Sequence, residues 1–354
     1  MTQLVSRAEG VRFDELALAT RNHGMQLEGM RYDITPIGMH YLLIHFDIPE
    51  IDPSSWRLRI TGCVKRGLEL SLDDIRSRPA TTIPVTLECA GNGRTAMDPR
   101  NVGQPWGLEA ISTAAWTGTA LVGILDDCGI RDEAVEVVFT GADRGIQDDV
   151  EHNYQRSLSI RECRRPEVLL AYEMNGGALP PQHGFPLRLL VPGWYGMTSV
   201  KWLRNIEVVD RPFTGFQQAV NYRYQRDEAD PGVPVSRIRV RALMIPPGMP
   251  DNPSRRRTVD AGAVVLRGRA WCGTSPVVRV EVGVDGVWHD ARLNREPAEF
   301  AWCSWSYTWD ARPGAHRLSC RATDADGNVQ PAEQIWNRLG LGNNLIQEVP
   351  VTVR

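Results

Sequence analysis

The sequence predicts an α+β protein in two parts, a mixed α/β domain over residues 1–230 followed by an immunoglobulin-like β-sandwich over residues 231–354. Three observations predict it. Strand and helix periodicities interleave in the first part, a stretch dense in Pro and Gly interrupts the chain near Asp230, and only two-residue alternation follows.

In the first part, Trp56-Arg-Leu-Arg-Ile60 and Val135-Glu-Val-Val-Phe139 read as strands, whereas Leu121, Ile124, Leu125 and Cys128 share one face of a helix. Ser71-Leu-Asp-Asp74 has the form of a capped helix start. The segments DPGVPVS and IPPGMPDNPSRRR have the composition of connectors between packed units. Beyond them, Val278, Val280, Val282 and Val284 alternate with Arg279, Glu281 and Gly283, and Asp285-Gly286 follows as a hairpin turn. Arg317–Ala322 and Val349, Val351 and Val353 alternate in the same way, with no helix between them. Six of the eleven tryptophans (271, 288, 302, 305, 309 and 336) fall in this smaller part. They are expected to fill its core and one face, or to form a subunit interface.

With 354 residues, 42% hydrophobic and 23% charged, the composition is that of an ordinary globular protein. A net charge of -3 excludes a broad nucleic-acid footprint, and no apolar run has the length of a membrane span. The first ten residues lack the basic and apolar regions of an export signal, so the chain as written is expected in the cytoplasm, or outside it if a signal peptide was removed. Seven scattered cysteines with no C-x-x-C pair argue against a disulfide framework or a zinc knuckle.

The run Thr86-Leu-Glu-Cys-Ala-Gly-Asn-Gly-Arg94 sets Cys89 at the end of an apolar strand, before a glycine-rich turn and an arginine. Such a turn lets a large group approach the backbone, and a nearby arginine is expected to lower the thiol pKa. A buried structural cysteine fits the same pattern. A catalytic nucleophile with His45, His152 or His183 as base is a further reading, and nothing near Cys89 supplies a second thiolate or imidazole at metal-site spacing.

Several segments together are more specific: Cys89-Ala-Gly-Asn92, Ile111–Gly118, Ala171-Tyr-Glu-Met-Asn-Gly176, His183-Gly-Phe-Pro-Leu-Arg188, Val191-Pro-Gly193, Val200-Lys-Trp-Leu203, Gly268–Trp271, Asp326–Pro331 and Ile335-Trp-Asn337. In these the chain resembles the sulfite oxidase family of molybdopterin-dependent oxidoreductases, in the form without haem. The resemblance implies Cys89 as the one protein ligand of molybdenum, with His45, Asp143, His183, Arg188, Ser199, Val200 and Lys201 contacting the cofactor. It implies Arg94, Tyr222 and, one place out of register, Arg338 on the substrate side. The implied reaction is two-electron oxygen-atom transfer, foremost sulfite to sulfate, with another small sulfur compound or nitrate as alternatives. A homodimer and a separate electron acceptor are implied as well, and the chain has no C-x-x-C-H haem motif. A degenerate β-sandwich binding protein and a cysteine hydrolase are the competing classes.

One departure from the family pattern stands out. Leu43 and Ile44 occupy the places of an expected Arg and Asn before His45, while an Arg21-Asn22-His23 triplet occurs upstream. Either that triplet folds back to restore the charge, or the substrate pocket has lost one arginine.

Overall fold

The computed structural model describes residues 3–294 and 298–354. Strand outweighs helix, 41% to 14%, so the helical share is smaller than the interleaved periodicities suggest.

Two sheets build the first part. One runs in the order 68–70, 58–62, 203–209, 136–147 and 150–159, with only the pair 203–209 and 58–62 parallel. The other runs 177–178, 169–174, 111–120 and 80–88, with 188–190 also pairing to 169–174. The helix Leu121–Cys128 follows its strand directly and buries Leu121, Ile124, Leu125 and Cys128, the face read from the sequence. These four pack with Leu58, Ile60, Val137, Phe139 and Leu203 into one core. Each such side chain taken from water contributes about 1.5–3 kcal/mol, which a short helix needs because it is marginal alone. Ser71 caps Leu72–Arg76 through a capping box with Asp74.

The second part is two facing sheets. A four-stranded sheet (241–245, 262–271, 303–311, 292–294) meets a six-stranded one (249–250, 257–259, 347–353, 314–324, 277–284, 287–290). Between them lie Met244, Leu266, Trp305, Trp309, Val280, Val282, Leu318 and Val351. No helix occurs here among the described residues. Asp285 and Gly286, at φ 50° and 87°, form the expected hairpin turn. The alternation in 277–284 breaks at one end, because the register shifts between Val277 and Arg279. That bulge reverses the phase of the side chains, so Val277 is buried and Val278 is exposed.

The Pro- and Gly-dense stretch is not a free linker. Val233–Pro234 pairs with Arg223–Tyr224, and Tyr195 N–H donates to the Ser236 carbonyl. The tryptophans divide as well. Trp305 and Trp309 fill the sandwich core, but Trp271, Trp302 and Trp336 donate their indole N–H groups to Glu88, the Asp33 carbonyl and the Pro99 carbonyl of the first part. Trp271 and Trp302 pack there with Met25, Met30, Ile111 and Tyr195 in a core shared by both parts. An indole is suited to such a seam, since its apolar body buries area while its N–H needs an acceptor.

Candidate active site

The strand Ala80–Glu88 ends in a tight turn that presents Cys89. Its N–H donates to the Ala110 carbonyl at 2.9 Å, and Asn92 N–H returns to the Cys89 carbonyl at 3.0 Å. Gly93 makes the turn possible: its φ is 86°, and its carbonyl accepts from Asn343 Nδ2 at 2.7 Å. The Cys89 side chain is buried, and burial pushes its thiol pKa up, against the weaker opposing pull of the Gly91 backbone, Arg94 and Trp106. Arg94 does act to lower the thiol pKa, but desolvation outweighs the cation and the net shift is upward. Such a thiol becomes a thiolate on coordinating a metal rather than by its own acidity.

Cys89 opens into a pocket also lined by His40, Tyr41, Leu43, His45, Asp143, Tyr154, His183, Arg188, Met197, Ser199, Lys201, Trp202 and Tyr222. Eight of the predicted residues thus converge from across the first part: Cys89, His45, Asp143, His183, Arg188, Ser199, Lys201 and Tyr222.

On one side stand the cations. Arg188 donates through Nη1 to the His183 carbonyl at 3.0 Å and through Nη2 to the Ser199 carbonyl at 3.1 Å, with its Cζ 4.7 Å from the Trp116 ring centroid. Burial lowers its pKa to about 10. Lys201 Nζ donates to the carbonyls of Leu43 (2.8 Å) and Gln182 (3.1 Å); burial and then Arg188 bring it down to about 7. Burial likewise lowers His183 to about 2 and His40 to about 3, so both rings are neutral at pH 7. Asp143 is the one carboxylate in the lining, and burial raises it to about 6.

On the other side, a 2.8 Å hydrogen bond joins Tyr222 Oη to His45 Nε2. The His45 ring leans on Tyr154, whose hydroxyl donates to the Met197 carbonyl at 2.7 Å. Burial raises the Tyr222 pKa and lowers His45 to about 3, so the pair is neutral.

Three predicted residues lie outside this lining. The Val200 side chain packs into the hydrophobic core, its N–H donates to the Thr198 carbonyl, and its carbonyl accepts from Leu189 N–H. Arg338 points away to an ion pair with Glu228 at 3.1 Å, as its register offset allows. Arg94 is near Cys89 in charge, but it donates to the carbonyls of Leu339 and Gln104, both at 3.1 Å, and flanks the pocket. The Arg21–His23 triplet does fold back, since His23 bridges to Leu42 and Asn22 Oδ1 accepts from Ile44 N–H. It does not return a cation to the lining: the exposed Arg21 guanidinium is spent on the Phe46 carbonyl. Sequence reading missed His40, Tyr41, Tyr154 and Met197; only the apolar setting of the two residues before Leu42 gave any signal for the first pair.

The donor set fits a molybdopterin. His40 Nε2, Asp143 Oδ1 and Arg188 Nε are buried without a hydrogen-bond partner among the described residues, and all three residues line this pocket. A buried unpaired polar group is costly, so three in one pocket mark a polar ligand. Gly196 in the lining lets the Tyr41 hydroxyl approach the backbone, since a Cβ there would lie 2.4 Å from Tyr41 Oη. Among the described residues no group of three or more His, Cys, Asp or Glu is arranged to hold a metal ion, which is compatible with Cys89 as a single protein ligand. Two of the histidines considered as a base for Cys89 are engaged elsewhere, His45 with Tyr222 Oη and His152 with Gln217 Nε2.

The comparisons with known proteins agree with that donor set. Residues 45–217 match the oxidoreductase molybdopterin binding domain family, and residues 239–354 match the Mo-co oxidoreductase dimerisation domain family. The chain belongs to the sulfite oxidase family of molybdopterin-dependent oxidoreductases. It is 35% identical to the sulfite oxidase of Gallus gallus over 336 residues, covering 87% of this chain and 71% of that one. It is 31% identical to the NADH nitrate reductase of Ulva prolifera over 94% of its own length. Among solved structures, the sulfane dehydrogenase SoxCD of Paracoccus pantotrophus aligns over 94% of this chain and 86% of its own, with a TM-score of 0.80 and 25% identity. The chain spans 42% of the length of the algal reductase and 62% of that of the mammalian sulfite oxidases it matches. No helix among the described residues is long and apolar enough to cross a membrane.

Proposed function

We propose that this molybdenum-dependent oxidoreductase carries out two-electron oxygen-atom transfer on a small oxyanion, with sulfite to sulfate the best-supported reaction. The observation that carries the reading is the convergence of the Cys89 thiol with Arg188, Lys201 and three unpaired buried polar atoms in one pocket. When bound, the molybdenum cofactor supplies the oxygen atom and accepts two electrons. Cys89 would hold the metal. Arg188, Lys201 and His183 would hold the anionic tail of the pterin, Asp143 its ring edge, and Ser199 would contribute from the strap that Arg188 pins.

On the substrate side, Tyr222 and His45 present neutral hydrogen-bonding groups, and Arg94 adds positive charge from behind the turn. Neutral donors can orient an oxyanion without binding its product too tightly, and the buried pocket excludes bulk water. Nitrate or another small sulfur compound is the second reading, favoured by the apolar Leu43 in the lining and by the algal relative. We further assign an immunoglobulin-like topology to residues 231–354, a homodimer through that part, as its family match supports, and a separate protein as electron acceptor.

Elemental analysis of the purified protein for molybdenum, with a sulfite assay using an artificial electron acceptor, tests the proposal. The wild type should contain about one molybdenum per chain and oxidise sulfite, and Cys89→Ser should lose turnover while still binding the pterin. A molybdenum-loaded wild type that reduces nitrate and leaves sulfite untouched would overturn the named substrate.

A further inference from the structure

A buried arginine that neither the cofactor cradle nor the substrate list accounts for lies behind Tyr222. Arg156 sits on the strand Val150–Ser159 between Tyr154 and Leu158, and these alternate residues share its inward face. Tyr154 lines the pocket and Leu158 is in the apolar core, so a guanidinium here occupies a place suited to a hydrophobe. It is 1% exposed. Its Nη1 donates to the Gln217 carbonyl, its Nε has no partner, and its Cζ lies 5.5 Å from the Tyr222 ring centroid. No carboxylate pairs with it among the described residues, and its neighbours Tyr154 and Tyr222 are neutral because burial raises the pKa of both phenols.

A fully buried cation without a counterion is expensive, and a protein retains one where an anion arrives in the working state. The carbonyl it grips is informative too. Gln217 opens the π-helical turn Gln217–Asn221 that delivers Tyr222, and such turns cost regular helix geometry and recur at functional sites. Arg156 therefore pins the turn by one atom and covers the Tyr222 ring with its charge.

We propose that Arg156 is a positioning residue that sets the oxyanion affinity of the pocket through Tyr222, supplying the positive field that Leu43 does not. This rests on the oxyanion reading above. A unit charge within ~12 Å, at an effective dielectric of ~20, changes anion affinity about tenfold. Leu43 lines the pocket from an extended segment outside any strand, whereas Arg156 stands on the strand Val150–Ser159 behind Tyr222, so the charge is relocated rather than lost. It now bears on Tyr222 instead of on the segment before His45.

The test uses molybdenum-loaded wild type, Arg156→Gln and Arg156→Lys, with sulfate binding measured by calorimetry alongside sulfite kinetics, all normalised to metal content. Arg156→Gln should weaken sulfate binding and raise KM for sulfite about tenfold, with kcat less affected, and Arg156→Lys should recover most of both. In a Tyr222→Phe background the penalty of Arg156→Gln should shrink, because the charge acts on bound oxyanion by polarising the Tyr222 hydroxyl, which the phenylalanine ring lacks. Equal impairment by Gln and Lys, or an unchanged KM and sulfate affinity in Arg156→Gln, overturns the proposal. A wild type that binds sulfate but does not oxidise sulfite defeats the functional reading and leaves the sulfate arm to decide the role of Arg156. If Arg156→Gln fails to fold, the Arg156→Lys protein decides: sulfate affinity within about threefold of wild type supports the proposal, and a tenfold loss with intact metal overturns it.

Discussion

Arg241 Nη1 lies 2.6 Å from Glu88 Oε1, an ion pair buried to within 2% exposure that ties the sandwich part to the residue immediately before Cys89. Asn92 Nδ2 shares the same oxygen at 2.9 Å, and Trp271 Nε1 takes the other at 2.8 Å. Glu88 is thus fully engaged from both sides of the boundary. The position of the metal ligand's strand end is set partly by the second part of the chain.

Removing Glu88 should be severe. Glu88→Ala leaves the Arg241 charge buried without its carboxylate, with an expected loss of about 3–5 kcal/mol in denaturant unfolding. Glu88→Gln keeps the acceptor and the shape and should lose less. A Glu88→Gln protein as stable as the wild type would mean that the charge pair is not what holds this seam.

Cofactor uptake should depend on pH through Lys201. Its pKa near 7 reflects burial first, and a neighbouring phosphate favours the protonated form, so binding takes up a proton. The affinity of apo protein for the cofactor should therefore fall as pH rises above about 7, with Lys201→Met removing most of the slope. Pterin fluorescence retained after gel filtration, from about pH 6 to about pH 9, reads this directly.

Tyr222→Phe removes the hydroxyl that meets His45 at 2.8 Å. We expect kcat/KM for sulfite to fall by about ten- to a hundredfold with molybdenum content unchanged. A variant that keeps full activity would show that the Tyr222 hydroxyl does not touch the reacting oxyanion.

Leu43→Arg restores the residue type that the family pattern expects. Leu43 is half-buried in the lining, and its carbonyl already accepts from Lys201, so a second cation there adds field at the cost of like-charge repulsion. The expected result is a severalfold lower KM for sulfite with somewhat weaker retention of the cofactor. A higher KM would indicate that the apolar side chain itself contributes to substrate fit.

Much of this site was legible in the sequence, and the omissions have physical causes. Cys89, His183, Arg188 and Lys201 sit in contiguous runs whose residues act within a few positions of one another, so a linear motif carries them. His40 and Tyr154 reach the pocket only through the pairing of distant segments, and isolated aromatic residues carry no such signal. Val200 lies between Ser199 and Lys201, and neighbours in an extended segment point to opposite sides, which puts its side chain in the core. Arg338 and Arg94 show that a correct charge at a correct sequence distance does not fix where a long side chain finds its acceptors. In the second part, the alternation at Val349, Val351 and Val353 translated directly into burial, whereas the bulge near Val278 depends on the partner strand.

The seam of Trp271, Trp302 and Arg241 bears on how this protein can be cut and recombined. A fragment ending near Asp230 would expose Met25, Met30, Ile111 and Tyr195 to water and strand Glu88 without its cation, beside the residue meant to hold the metal. The two parts should therefore melt in one transition. A chimera that exchanges the sandwich for that of a relative will load metal only if the incoming part brings its own arginine and indole to meet Glu88.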